Sequence, residues 1–173
     1  LRKIAGNYGQ DLKVLGGNLK KQGYISEVKS VISEFTQYGI GFDELDQLME
    51  ELGAGSYLYY KLEDIRKIYE GFEKYLADKY ITKEELLDVL SDAVPRSGLL
   101  KKSVVALDGF TGFTPVQNKL LGELMKVCSK VFVTAVMDRR EDPYVYRHPY
   151  QLFGLSKQML SGLIKTAGEC KAG

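Results

Sequence analysis

Residues Ser103–Asp138, SVVALDGFTGFTPVQNKLLGELMKVCSKVFVTAVMD, decide the fold. The first apolar run, Val104–Leu107, ends in Asp108, and a second, Val131–Val136, leads to Asp138. Between them Thr114, Pro115 and Gln117 supply an N-cap, a first helical residue and an N3 partner. Leu120, Leu121, Leu124 and Cys128 then form the inward stripe of that helix. Strand, helix, strand with an acid after each strand predicts a parallel α/β unit, and open α/β sheets bind ligands at such strand ends.

The chain to the N-terminal side reads as helical. Tyr8, Leu12, Leu15 and Leu19 share one face of a helix over 1–22 that glycines weaken. Ser26 predicts the N-cap of a second helix that stops at Gly39, and Phe42–Leu52 a third that stops at Gly53. The longest helix is expected over 57–80, where Leu58, Leu62, Ile65, Tyr69, Phe72 and Leu76 alternate four and three apart. On this reading its Lys61, Glu63, Asp64, Arg66 and Lys67 face solvent. Thr82 and Glu85 form a capping box, with Ile81 and Leu86 as the staple, for a helix that Pro95 ends. A last helix is expected over 152–167. The fold class is therefore α/β and predominantly helical, divided into a helical subdomain, 1–98, and an α/β segment, 99–173.

Totals exclude several functions. A net charge of +1 gives no global field for nucleic acid or membrane, and 45% hydrophobic with 27% charged residues is ordinary for a globular protein. No apolar run approaches the about 18 residues of a membrane span. Cys128 and Cys170 have neither metal-site nor disulfide spacing, which predicts thiols in a reducing cytoplasm and no metal site. The chain opens on Leu1 rather than Met, as an excised piece of something longer would.

Candidate chemistry is sparse. Asp108 at a strand end has the position of a Walker B acid, which orders the water shell of a nucleotide-bound Mg²⁺. The next residue, where an activating glutamate is common, is Gly109, and no GxxxxGK[ST] loop occurs in the sequence. His148, the lone histidine, has no nucleophile elbow or cysteine partner in the sequence, so it reads as a surface residue. Tyr57, Tyr59 and Tyr60 have base-stacking chemistry but sit at a helix start, where packing accounts for them. Arg139, Arg140 and Arg147, beside Tyr144, Tyr146 and Tyr150, are the densest basic and aromatic mixture and the candidate DNA-backbone contact.

The run LDGFTGFTPVQNKLLGELMKVCSKVFVTAVMD, preceded by YLADKYITKEELLDVL and followed by YQLFGLSKQMLSGLIKTA, resembles the B subunit of the bacterial AddAB (RexAB-type) helicase–nuclease. The family phrase is an apolar strand, Asp-Gly-Phe-x-x-Phe-Thr-Pro-x-Gln, a helix, a second apolar strand ending in Asp, and a Leu-Phe segment opening a helix. The resemblance implies an internal fragment of that subunit's N-terminal helicase-like region: a helical insertion plus part of a RecA-like, P-loop NTPase-type sheet. It implies a parent acting in double-strand DNA end processing and recombinational repair, partnered by double-stranded DNA ends and an AddA-type helicase subunit. ATP, Mg²⁺ and an iron–sulfur cluster are expected of the parent and none of them of this segment. Against the superfamily 1 helicase pattern Asp108 matches the first acid, Gln117 falls near the helix-side glutamine, and Asp138 lies near the second acid. Gly109 replaces the catalytic glutamate, and Arg139-Arg140-Glu141 offers no sensor glutamine. The expectation is a non-catalytic segment with a degenerate nucleotide site. The alternative is a helical protein–protein interaction module, without nucleotide or DNA role, in which the α/β unit only supports the heptad helix.

Overall fold

The computed structural model describes residues 2–8, 11–18, 21–77, 82 and 85–171. It is mostly helical with one small parallel sheet, and its contacts divide it into two compact units, Leu1–Glu85 and Leu86–Gly173.

The first unit holds α1 (Arg2–Tyr8), α2 (Gln22–Tyr38), α3 (Phe42–Leu52) and α4 (Tyr57–Leu76). The single helix expected over 1–22 is not formed: α1 stops at Tyr8, and residues 11–18 run as turns and bends. Leu12 and Leu15 are nonetheless buried, so the apolar positions enter the core from a loop rather than a helix face. Leu19 lies outside the described residues. The second helix starts at Gln22, four residues before the expected Ser26 cap, and its N-cap Lys21 makes no side-chain bond. Its end follows the sequence. Gly39 takes φ 68°, its amide donates to Thr36 O and that of Ile40 to Phe35 O, closing a Schellman motif with both apolar side chains against the core. At the start of α3 the Glu44 carboxylate accepts from the Gly41 amide at 2.9 Å. Gly41 has no side chain to return the bond.

Helix α4 is the axis of this unit and packs against α1, α2 and α3. Ser56 caps it, its Oγ accepting from the Tyr59 amide at 3.0 Å. The helix ends at Leu76, and the expected continuation to 80 falls partly on residues outside those described. Its burial is wider than a heptad seam. Leu62, Ile65 and Tyr69 are buried as the spacing predicts, but so are Ile68, Asp64 and Gly71, while Leu58 is half exposed. Three of the six seam residues are thus buried inside the unit. At Gly71 an added Cβ would stand 2.6 Å from Tyr8 Cε2, so a glycine is what lets α1 approach α4.

Asp64 corrects the expectation of a solvated acid. It is fully buried, and its two oxygens accept the backbone amides of Lys13, Val14 and Leu15 at 3.0, 2.7 and 2.9 Å. The 11–18 loop, having given up its own helical bonds, satisfies its donors on this carboxylate. Lys13 adds an ion pair to Glu63 at 2.8 Å and lies 4.6 Å above the Tyr60 ring. On the opposite side Arg66 grips Asp46 through two bonds, of 2.5 and 2.8 Å. At the end of the unit, Thr82 and Glu85 make both expected capping-box bonds, at 2.7 and 3.1 Å. The staple residue Ile81 lies outside the described residues.

The second unit holds α5 (Leu86–Ala93), β1 (Val104–Leu107), α6 (Pro115–Val127), β2 (Lys130–Val133) and α7 (Gly154–Lys171). Pro95 sits in a 3-10 turn, Val94–Arg96, directly after α5. The strands pair in parallel, Val104 opposite Lys130 and Leu107 opposite Val133. Leu121 of α6 meets Met159 and Leu163 of α7 in a small core that Leu107, Phe113 and Val133 border. Both strands alternate exposed and half-buried residues, so Val104 and Phe132 share a bare sheet face. Parallel sheets are ordinarily covered on both faces, which makes this exposure a feature of the unit.

Candidate functional site

The expected capping box at the start of α6 forms. Thr114 donates its amide to Gln117 Oε1 at 2.9 Å, and the Gln117 amide donates to Thr114 Oγ1 at 3.4 Å. With Pro115 first in the helix, this box holds the turn that leaves β1, and Asp108 stands on the surface immediately after the strand. The Thr134 hydroxyl donates to Asp108 Oδ1, and the Thr134 amide donates to Leu107 O at 3.0 Å. Gly109 follows with φ 80°, a left-handed conformation that costs a β-carbon-bearing residue more than glycine.

The second strand is shorter than the apolar run that predicts it. Pairing stops at Val133, so Thr134, and not Asp138, is the neighbour of Asp108. Without a further partner strand, residues 134–138 have apolar composition but no ladder to join. Asp138 instead organises the next turn. Its Oδ1 accepts the Arg140 amide at 2.9 Å, and its carboxylate takes the Arg140 guanidinium at 3.2 and 2.7 Å. These bonds hold the Asp138 carboxyl below its usual range, chiefly through the Arg140 side chain and then its amide, and raise Arg140 correspondingly.

Each candidate polar residue of the strand-end site therefore has its own partner: Thr134 for Asp108, Thr114 for Gln117, Arg140 for Asp138. Among the described residues no cluster of three or more histidine, cysteine or acidic side chains is arranged to hold a metal ion. The donor set for a nucleotide is also incomplete in this sequence, which has no phosphate loop and carries glycine where an activating glutamate would follow Asp108. Two cysteines do not supply the four thiolates of an iron–sulfur cluster, and Cys170 donates its thiol to Gly122 O.

The arginines lie close by in the chain but differ in commitment. Arg140 is held by Asp138, Arg139 is exposed, and Arg147 donates its backbone amide to Gln151 Oε1 at 3.1 Å. Arg140 and Arg147 line a cleft of about 480 Å³ together with Glu141, His148, Gln151 and Lys157. Lys157 is buried, and its Nζ pairs with Glu141 at 2.6 Å. Sequence reading misses Gln151 and Lys157. The one signal for Lys157 is a cation among the apolar positions of α7, and Gln151 gives none because its role depends on how a turn folds back. The tyrosines Tyr144 and Tyr150 are largely exposed, and Tyr150 stacks obliquely near His148, ring centres 6.5 Å apart.

A helical unit built around α4, followed by a β-α-β unit with a strand-end acid and a basic loop, defines a mostly helical α/β protein. The chain belongs to the family described as "ADDB, N-terminal", whose model matches residues 1–173. It is similar to the B subunit of the ATP-dependent helicase/deoxyribonuclease of Lachnoclostridium phytofermentans, with 43% identity over 167 residues, and to that of Caldanaerobacter subterraneus, with 34% over 166. The corresponding B subunit of Listeria monocytogenes matches at 28% over 167 residues. These alignments cover 96%, 94% and 96% of this chain and 14% of each relative, so the chain spans about one-seventh of their length. No helix among the described residues is long and apolar enough to cross a membrane.

Proposed function

We propose that this chain is a non-catalytic segment of a helicase/deoxyribonuclease B subunit, a motor-like fold retained for handling DNA and docking partners. One observation carries the reading: the strand-end acid of the family phrase is present at Asp108, but its carboxylate is bonded to Thr134 and is followed by glycine. The position of a Walker B acid is kept and the apparatus for activating water is not. A RecA-like sheet is the architecture we infer, with further strands of the parent extending its edges and helices of the parent covering the bare face that Val104 and Phe132 share. The parent works on double-stranded DNA ends with an AddA-type partner, in cytoplasmic recombinational repair. ATP and Mg²⁺, like the iron–sulfur cluster, are held by residues elsewhere in the parent. DNA contact falls to the basic loop, with Arg139 exposed for a phosphate.

The test uses the full-length natural chain in its complex. Asp108→Ala is expected to leave Mg²⁺-dependent ATP turnover unchanged, and loss of turnover in that variant overturns the non-catalytic reading. Arg139→Ala is expected to weaken duplex binding roughly two- to five-fold and to lower the salt slope by about one. Unchanged binding at every salt concentration removes the loop from the DNA path.

A further inference from the structure

Lys157 carries a charge where its surroundings disfavour one. It is only 5% exposed and lies in the first turn of α7, between the buried residues Ser156 and Met159. Burial strips water from the ammonium, and the amino end of a helix dipole repels a cation. Its ion partner among the described residues is Glu141, at 2.6 Å. A well-packed apolar side chain in place of such a pair is often neutral or stabilising, so stability alone does not account for it.

What the pair does is tie α7 to the start of the basic loop. The Glu141 amide donates to Asp138 O at 3.1 Å, closing a β-turn over 138–141 whose central residues are Arg139 and Arg140. Asp138 fastens the beginning of the turn, accepting the Arg140 amide at 2.9 Å and its guanidinium at 2.7 Å. Glu141 fastens the end of the turn to Lys157. The next acid, Asp142, accepts the Tyr144 amide at 2.9 Å. Arg140 is therefore committed within the turn, and Arg139 stands exposed at its apex with no ion pair among the described residues.

We propose that Lys157 is a positioning residue for DNA: through Glu141 it fixes the 138–141 turn, so that Arg139 meets a backbone phosphate already oriented. The proposal rests on the reading of Arg139 as a phosphate contact and deepens it by assigning the residue that holds that contact. An arginine presented by a fastened turn loses less conformational freedom on binding than one on a loose loop. The informative variant is Glu141→Gln/Lys157→Met. It removes the pair as a whole, leaves the net charge unchanged and leaves no buried charge without a partner, so a loss of DNA affinity in it is not a loss of charge.

In the full-length natural chain in its complex, duplex affinity is measured by anisotropy across a salt series, beside thermal melts. The double variant is expected to melt no lower than wild type and to bind duplex roughly two- to five-fold more weakly. Arg139→Ala, which costs its roughly two- to five-fold in the wild-type background, is expected to cost almost nothing further in the double variant. An equal cost of Arg139→Ala in both backgrounds overturns the positioning role and leaves the DNA reading standing. If Arg139→Ala is silent in the wild-type background, the DNA reading falls and the positioning role falls with it. Should the double variant melt lower than wild type, the charge-swapped Glu141→Lys/Lys157→Glu takes its place. Return of the Arg139 contribution in the swapped chain supports the positioning role, and its continued loss overturns it.

Discussion

Two aspartates, one in each unit, show how differently the same side chain is used. Asp64 lies in the middle of a charge-rich helix and is fully buried, its oxygens receiving three backbone amides. Asp108 ends an apolar strand, where a ligand site is expected, and stands exposed with one hydroxyl partner. The acid that reads as decoration holds its unit together, and the acid that reads as chemistry lies on the surface. A buried carboxylate is stable only with its lone pairs satisfied, and the 11–18 loop supplies those donors.

The sharpest way to break this comparison is Asp64→Ala, which leaves the amides of 13–15 without acceptors around a new void. It is expected to destabilise the chain by roughly 3 kcal/mol or more, read by denaturant unfolding and by faster hydrogen exchange at residues 13–15. Ile68→Ala, at a fully buried position on the same helix, is expected to cost about 2–4 kcal/mol through the cavity alone. A near-neutral result there would show that the core around Ile68 collapses into the vacated space. Gly71→Ala, which drives a methyl into Tyr8, is expected to cost about 1–3 kcal/mol; a lower melting temperature checks it.

Smaller effects separate the units further. Asp108→Asn is expected to change stability by less than about 1 kcal/mol, as surface substitutions do, and a larger loss would place Asp108 with Asp64 as a structural acid. Glu73 carries the smallest change. Burial, and then the neighbouring Glu85, hold its carboxyl above the usual range, so the fold favours its protonated form. The stability it contributes is present below the ordinary glutamate pKa and lost as pH rises through its raised value. Glu73→Gln is expected to raise the melting temperature slightly at neutral pH, with the gain vanishing in acid, as a pH series of thermal melts would show.

Local signals carried much of the architecture. The stop at Gly39, the Thr82–Glu85 box and the Thr114–Pro115–Gln117 start are bonds between residues at most five positions apart, so the residue types themselves specify them. The parallel pairing of Val104–Leu107 with the next apolar run was legible for the same reason: a short helix between two strands leaves few alternatives. Where the reading failed, the deciding contact was distant. Residues 11–18 abandon a helical face because Asp64, some fifty positions on, accepts their amides. The second strand stops at Val133 because β1, its partner, stops at Leu107.

The candidate site divides along the same line. Asp108, Gln117 and the arginines could be named from their types and spacing, but their commitments could not, because Thr134 and Gln151 are reached only through sheet register and a folded-back turn. Sequence alone determined most of the helices, the parallel strand pair, the stop at Gly39, the two capping boxes and the family phrase, since these rest on local hydrogen bonds and periodicity. Tertiary structure decided which acid is buried, where the second strand ends and which partners the arginines of the basic loop take. Those outcomes depend on which groups folding removes from water and which partners it brings to them.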